Sequence, residues 1–128
     1  MAPEPTRIVI VEDDRDARES LQRLLECHGY DVRTAQDAPT AATAIEDFRP
    51  VGVVLDLGLP DTASGLKLAA WLQHRYGPTM VLVVVTGCRA LEDLDTARAA
   101  GADYVLPKPL DVDRLNSILS PLAHSPQA

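Results

Sequence analysis

The feature that most limits how this chain can fold is a set of short, unbroken apolar runs, each closed by polar groups. RIVIV at Arg7 to Val11 stops at Glu12-Asp13-Asp14, VGVVL at Val51 to Leu55 stops at Asp56, and MVLVVV at Met80 to Val85 stops at Thr86-Gly87. Continuous β-branched runs, rather than alternating ones, belong to strands buried on both faces, as in a parallel sheet held between two layers of helix. An alternating run, DVRTA at Asp31 to Ala35, and a short one from Asp103 to Leu106 complete five strands.

Helical spacing recurs between them. Ala17, Leu21, Leu24, Leu25 and His28 mark a first helix stopped by Gly29, and Ala41, Ala44, Ile45 and Phe48 a second stopped near Pro50. Ala69, Leu72 and Tyr76 mark a third, ending at Gly77-Pro78; Leu91, Leu94, Ala97 and Arg98 a fourth, leading to Gly101; and Val112, Leu115, Ile118, Leu119 and Leu122 a fifth. Strands and helices in alternation predict an α/β domain with right-handed crossovers, whose functional groups gather at the C-terminal edge of the strands. The 128 residues suit one domain, with a core over about residues 6–122 and short tails.

Aromatic residues are only 4% of the chain, so the core must be built from Val, Leu, Ile and Ala. The net charge of -7 opposes nucleic-acid phosphates and anionic lipid, and neither direct nucleic-acid binding nor membrane binding is expected. No apolar run approaches the roughly 18 residues of a membrane span, and the opening MAPEPTR lacks the apolar stretch of a signal peptide. A cytoplasmic protein with Met1 as its native start is expected. Cys27 and Cys88 are too few for a disulfide framework or a thiolate zinc site, and both are expected to be reduced.

Glu12 and Asp13 follow the first strand, Asp56 the third, Thr86 the fourth and Lys108 the fifth. Three carboxylates converging at neighbouring strand ends repel one another unless a cation joins them. Hard oxygen ligands without His or Cys favour a divalent ion such as magnesium, with the backbone carbonyl of Gly58 and waters completing the shell. Lys108 and Thr86 are not needed for a cation and point to an anion beside it. A metal, a lysine, a hydroxyl and a central carboxylate are what phosphoryl transfer to a carboxylate requires, with Asp56 as the nucleophile. Singly each residue has a plainer reading: Asp13 or Asp14 suits the N-cap of the first helix, and Lys108 a solvated surface charge. His28, His74 and His124 are scattered and read as structural or surface residues, and Trp71 as a core or rim residue of the third helix.

Over nearly its whole length the sequence resembles the receiver domain of bacterial two-component response regulators. The resemblance rests on VEDD near the start, VVLDLGLP around Asp56, VVVTG at Thr86 and PKP at Lys108, with 43 positions from Asp13 to Asp56, 30 more to Thr86 and 22 more to Lys108. Singly these motifs are weak; in order and at these spacings they are specific. The resemblance implies a flavodoxin-like (βα)5 fold with strand order 2-1-3-4-5 and a cis peptide before Pro109. It further implies Glu12 and Asp13 as the magnesium-binding acid pair, Asp56 as phosphoacceptor, Thr86 as switch hydroxyl and Lys108 as phosphate-pairing lysine. The implied phosphodonor is a histidine kinase, a histidine phosphotransfer protein or a small compound such as acetyl phosphate. Output is expected through the fourth helix, fifth strand and fifth helix, or by onward transfer. The stretch from Thr86 to Asp111 is similar to receivers attached to hybrid histidine kinases.

Two departures from the family pattern stand out. Three positions before the lysine, where receivers usually carry Tyr or Phe, this chain has Val105, and its aromatic, Tyr104, is displaced by one. A one-residue shift in a strand turns a side chain to the opposite face, so the usual coupling of the hydroxyl to an inward-swinging aromatic is not expected. The loop from Asp56 to Gly65 spans nine positions where eight is common, which marks Asp61 to Ser64 as a possible partner-selecting surface. Three alternatives share the winding. A flavodoxin-like electron carrier needs hydroxyls, glycines and free amides after the first strand, where this chain has acids. A small aspartyl-phosphate phosphatase would place its nucleophile after the first strand, not the third. The remaining alternative is a protein-interaction module that does not depend on phosphorylation.

Overall fold

The computed structural model describes residues 5–58, 62–87 and 91–124. The expectations placed on Met1, Asp61, Cys88 and the tail after His124 lie outside those residues. Five parallel strands, β1 (Arg7–Val11), β2 (Asp31–Ala35), β3 (Gly52–Asp56), β4 (Val81–Thr86) and β5 (Tyr104–Pro107), form one sheet in the order β2-β1-β3-β4-β5. The helices between them are α1 (Arg15–Cys27), α2 (Ala38–Phe48), α3 (Thr62–Tyr76), α4 (Leu91–Ala99) and α5 (Val112–Leu119). The expected winding is the observed one.

Alternate residues of each strand feed two cores. Val9, Val11, Val53, Leu55 and Val84 point to the side where Ile45 of α2, Leu72 of α3 and Ala97 of α4 cover them. Ile8, Ile10, Val54, Val83 and Val85 point to the other, where Leu25 of α1 and Leu115 and Leu119 of α5 lie. The central strands therefore read as unbroken apolar runs because both of their faces are buried. β2 lies at the edge, and its outward Asp31 and Arg33 give the alternation seen in DVRTA.

Carboxylates start three of the helices. Asp14, Asp37 and Asp111 are the N-caps of α1, α2 and α5; Asp14 accepts from the Ala17 amide at 2.9 Å, Asp37 from the Thr40 amide at 2.9 Å, and Asp111 from the amides of Asp113 and Arg114. The question of which acid caps α1 is thus settled on Asp14, which leaves Asp13 for other work. The fifth helix ends earlier than its apolar spacing predicts: α5 stops at Leu119 and a 3-10 turn runs from Ser120 to His124. Pro121 has no amide to donate and its ring crowds the preceding turn, so the α-helical ladder cannot pass it.

Gly65 ties the loop after β3 to the sheet. A Cβ built on it would overlap the carbonyl of Leu57, backbone that cannot yield without dragging the strand end beside Asp56. We expect Gly65→Ala to cost about 1–3 kcal/mol, read as a lowered urea midpoint at unchanged denaturant slope.

Candidate functional site

The Glu12 amide continues the ladder of β1 by donating to the Ala35 carbonyl at 3.0 Å, and the Leu57 amide continues that of β3 by donating to the Val85 carbonyl at 2.9 Å. Because Val11 pairs with Leu55 and Asp56 with Val85, Glu12 and Asp56 come to the same sheet edge as neighbours, with Thr86 one strand further on. Glu12 is 8% exposed and Asp56 9% exposed, while Asp13 stands in solvent. One carboxylate oxygen from each of Glu12, Asp13 and Asp56 lies within 4.8 Å of the others.

The two oxygens of Asp56 are held differently. Oδ1 accepts from the Gly58 amide at 3.1 Å, and Oδ2 lies 3.2 Å from the Nζ of Lys108. Lys108 follows β5 directly; its amide donates to the Thr86 carbonyl at 2.9 Å, and the peptide joining it to Pro109 is cis. Its side chain remains 42% exposed, so the cation bridges the carboxylate and solvent. Thr86 is buried at the end of β4. All five predicted side chains therefore meet at one edge. Asp56 and Thr86 are the last residues of their strands rather than the first beyond them. Gly58 is brought against Asp56 by its amide.

Crowding sets the charge state. Burial pushes the Glu12 carboxyl up to about 8, and the hydrogen bond and negative charge of Asp56 add to the rise, only partly offset by Lys108. Burial also opposes ionisation of Asp56, but the bond from Glu12, the Gly58 amide and Lys108 outweigh it and hold Asp56 below the usual carboxylate range. Glu12 therefore keeps its proton and donates a hydrogen bond to Asp56, which is the ionised member.

One contributor escapes sequence reasoning. Arg18 on α1 donates from Nη1 to the carbonyls of Glu12 at 3.0 Å and Asp13 at 3.4 Å, clamping the loop that carries the acid pair. The only hint in sequence is its place four residues after the capping Asp14. His28 and His74 stay away from the site, as expected, and the side chain of His124 lies outside the described residues. His28 caps the far end of α1, its Nδ1 2.8 Å from the Leu24 carbonyl, and His74 is exposed on α3. Trp71 lies at the rim of α3, edge-on to Tyr76 with ring centroids 5.9 Å apart.

Val105 and Tyr104 part company as their offset predicts. Val105 packs against the core under α2, α3 and α4. Tyr104, paired with Val83 of the opposite core, is 46% exposed. No aromatic side chain from β5 thus lies on the α4 side beside Thr86.

The family model of the response regulator receiver domain matches residues 8–120. This chain belongs to that family. Response regulator MprA of Mycobacterium sp. strain KMS is 39% identical over 111 residues, covering 87% of this chain and 47% of MprA. The chain thus spans about half the length of the curated relatives it matches. Among solved structures, a CheY-like response regulator receiver domain protein from Methanospirillum hungatei superposes with a TM-score of 0.82 at 30% identity, over 94% of this chain and 95% of that one. A response regulator from Burkholderia pseudomallei, solved with a phosphorylated aspartic acid, a calcium ion and citrate, gives 0.81 at 29% identity over 93% and 69%. The family is one of signalling proteins that act as phosphoacceptors in two-component systems, and the alternative readings find no support in these matches. Among the described residues, no helix is long and apolar enough to cross a membrane.

The charge state has a measurable consequence. Unfolded, Glu12 ionises near 4.5; native, near 8. Between those values the native state holds the extra proton, so stability falls as pH rises through the window. In chelator, the urea midpoint should drop between about pH 5 and about pH 8, and Glu12→Gln should flatten that slope.

Proposed function

We propose that this receiver accepts a phosphoryl group on Asp56 in a magnesium-dependent reaction. The observation that carries the proposal is the asymmetric hold on Asp56: an ionised carboxylate with one oxygen fixed by the Gly58 amide and the other facing Lys108, beside two further acids. An oxygen of Asp56 attacks the phosphorus of a phosphohistidine or acyl phosphate, the bond to the donor breaks, and the electron pair leaves with the donor. Lys108 offsets charge on the transferred oxygens, and the Thr86 hydroxyl donates to one of them. The donor set fits a hard divalent cation: Glu12, Asp13, Asp56 and the Gly58 carbonyl are all oxygen ligands, too few to displace every water, which suits magnesium. When bound, the ion supplies positive charge against the phosphoryl oxygens.

The aspartyl phosphate in the Burkholderia relative supports this assignment. The domain catalyses its own phosphorylation and dephosphorylation, and it works in the cytoplasm with a histidine kinase or histidine phosphotransfer protein as donor. Its output is a protein contact on α4, β5 and α5, or onward phosphotransfer. The folded unit serves as one domain over the whole chain, with its core in residues 6–122.

Three experiments test the reading. Incubation with acetyl phosphate and magnesium should add about 80 Da, one phosphoryl group, to the wild type and nothing to Asp56→Asn; an undiminished adduct in the variant would overturn the assignment. Asp13→Ala should weaken magnesium binding by more than about tenfold in calorimetry. Below about pH 8 the binding enthalpy should vary with buffer ionisation enthalpy, because Glu12 must release its proton to become a ligand; equal affinity in wild type and variant would refute the metal site. With beryllofluoride as phosphoryl mimic, amide shifts should reach α4 and β5 through movement of loop and helix, since Val105 has no ring to rotate. Shifts confined to residues touching Asp56 would favour a relay without a second conformation.

A further inference from the structure

Arg18 lies in the first turns of α1 among acids, with Asp13, Asp14 and Asp16 before it and Glu19 after it. Among the described residues it nevertheless joins no ion pair; the pair on α1 is Arg15 with Glu19 at 3.1 Å. Its half-buried side chain turns back toward the end of β1, where Nη1 donates to the Glu12 carbonyl at 3.0 Å and to the Asp13 carbonyl at 3.4 Å. These two carbonyls belong to the two peptide units that meet at the Asp13 Cα. Each unit is planar, so together the two planes set the direction in which the Asp13 side chain leaves the backbone. The Asp13 carboxylate is exposed and has no surrounding core to aim it, which leaves the task to the backbone. An arginine paired with that carboxylate would compete with a cation for the same oxygens. Bonded to carbonyls instead, Arg18 orients the acid and leaves its oxygens available.

We propose that Arg18 is the positioning residue of the magnesium site, setting the affinity for the ion by fixing the backbone that aims Asp13. The proposal rests on the magnesium-dependent phosphoacceptor reading and deepens it. Residues that hold a metal's ligands in place contribute to affinity without touching the ion, because a ligand free to turn must be ordered at the moment of binding. The sign of the effect separates this role from that of charge. A guanidinium near a divalent cation repels it, so by Coulomb interaction alone the loss of Arg18 would tighten binding. Positioning requires the opposite: without the two carbonyl bonds, Asp13 is less well placed and the ion binds more weakly, although a like charge has been removed.

The test is calorimetric titration of magnesium into folded wild type, Arg18→Met and Arg18→Lys. Arg18→Met removes the charge and every donor while keeping an extended side chain. It should bind magnesium about tenfold more weakly, the lower end of what residues that orient a metal's ligands are worth. Arg18→Lys keeps the charge and one donor nitrogen, should lose affinity by a smaller factor, and carries the test if the methionine variant does not fold. Because Arg18 acts through Asp13, initial rates of phosphorylation by acetyl phosphate should show a raised magnesium requirement and return to near the wild-type rate at saturating magnesium. Unchanged affinity in the folded variants would overturn the proposal and leave Arg18 a structural tie between α1 and the loop. Tighter binding would overturn it in favour of charge alone, and a rate that stays low at saturating magnesium would overturn the route through the metal. A wild type that binds no magnesium would take down the metal-dependent reading and this inference with it, whereas a wild type and variants that bind alike remove the inference alone.

Discussion

The parallel pairing of β1 with β3 forces Glu12 and Asp56 together, and the rest of the site answers to that contact. Neighbouring strands lie roughly 4.8 Å apart, and the backbone at each acid is held by a ladder bond, from the Glu12 amide to the Ala35 carbonyl and from the Leu57 amide, next after Asp56, to the Val85 carbonyl. The two backbones cannot separate without breaking the sheet. Two buried carboxylates so fixed cannot both ionise in the ordinary range, and the protein resolves the conflict with one proton on Glu12 and one cation, Lys108, on the far side of Asp56. Both stabilise the ionised form of a single residue.

That arrangement depends on restraints that lie outside it. Arg18 holds the carbonyls of Glu12 and Asp13, which ties the backbone of the acid pair to α1. Asp14 takes the capping task, and Asp13 is thereby left exposed above the site. On the opposite side, the Lys108 amide is bonded to Thr86, which fixes the root of the lysine to the end of β4. Gly65 lets the first turn of α3 approach the Leu57 carbonyl, drawing the loop after Asp56 down against the sheet. Capping and close packing position the site; charge defines its state.

How far the sequence foretells this follows from which forces are local. The strands were legible because burial on both faces leaves a continuous apolar run, and the convergence of Glu12, Asp56, Thr86 and Lys108 was legible because parallel strands all end at one edge. The opposite facings of Tyr104 and Val105 needed only the two-residue period of a strand. What stayed hidden is tertiary. Nothing in VEDD says which acid keeps a proton, since that depends on the neighbour supplied by β3. Arg18 looks like any surface arginine until the loop it clamps is in place, and the need for glycine at position 65 arises from a carbonyl eight residues earlier. The end of α5 misleads for another reason. Leu122 still packs on the same core as Leu115 and Leu119, so the apolar spacing persists past Pro121 although the α-helical hydrogen bonds do not.

The pairing of Asp56 before any reaction also bears on how its chemistry is coupled to shape. In the proposed reaction the carboxylate must give up the hydrogen bond from Glu12, and Lys108 must turn from a carboxylate oxygen to the incoming phosphoryl group. Both partners are tied to other strands, Glu12 to β2 through its amide and Lys108 to β4 through its own. A change of charge at Asp56 is therefore felt first as a change of pull along the sheet edge, and the segment of Thr86 and Gly87 is the one next to it. In a receiver with an aromatic side chain at position 105, ring rotation would offer a discrete second packing for that segment. Here the side chain is a valine seated in the core under α4, too short to exchange between core and solvent. A shift in the balance between two states can be no larger than the difference in how they hold the phosphoryl group, so in this chain that difference must arise in the backbone around Thr86 and Lys108.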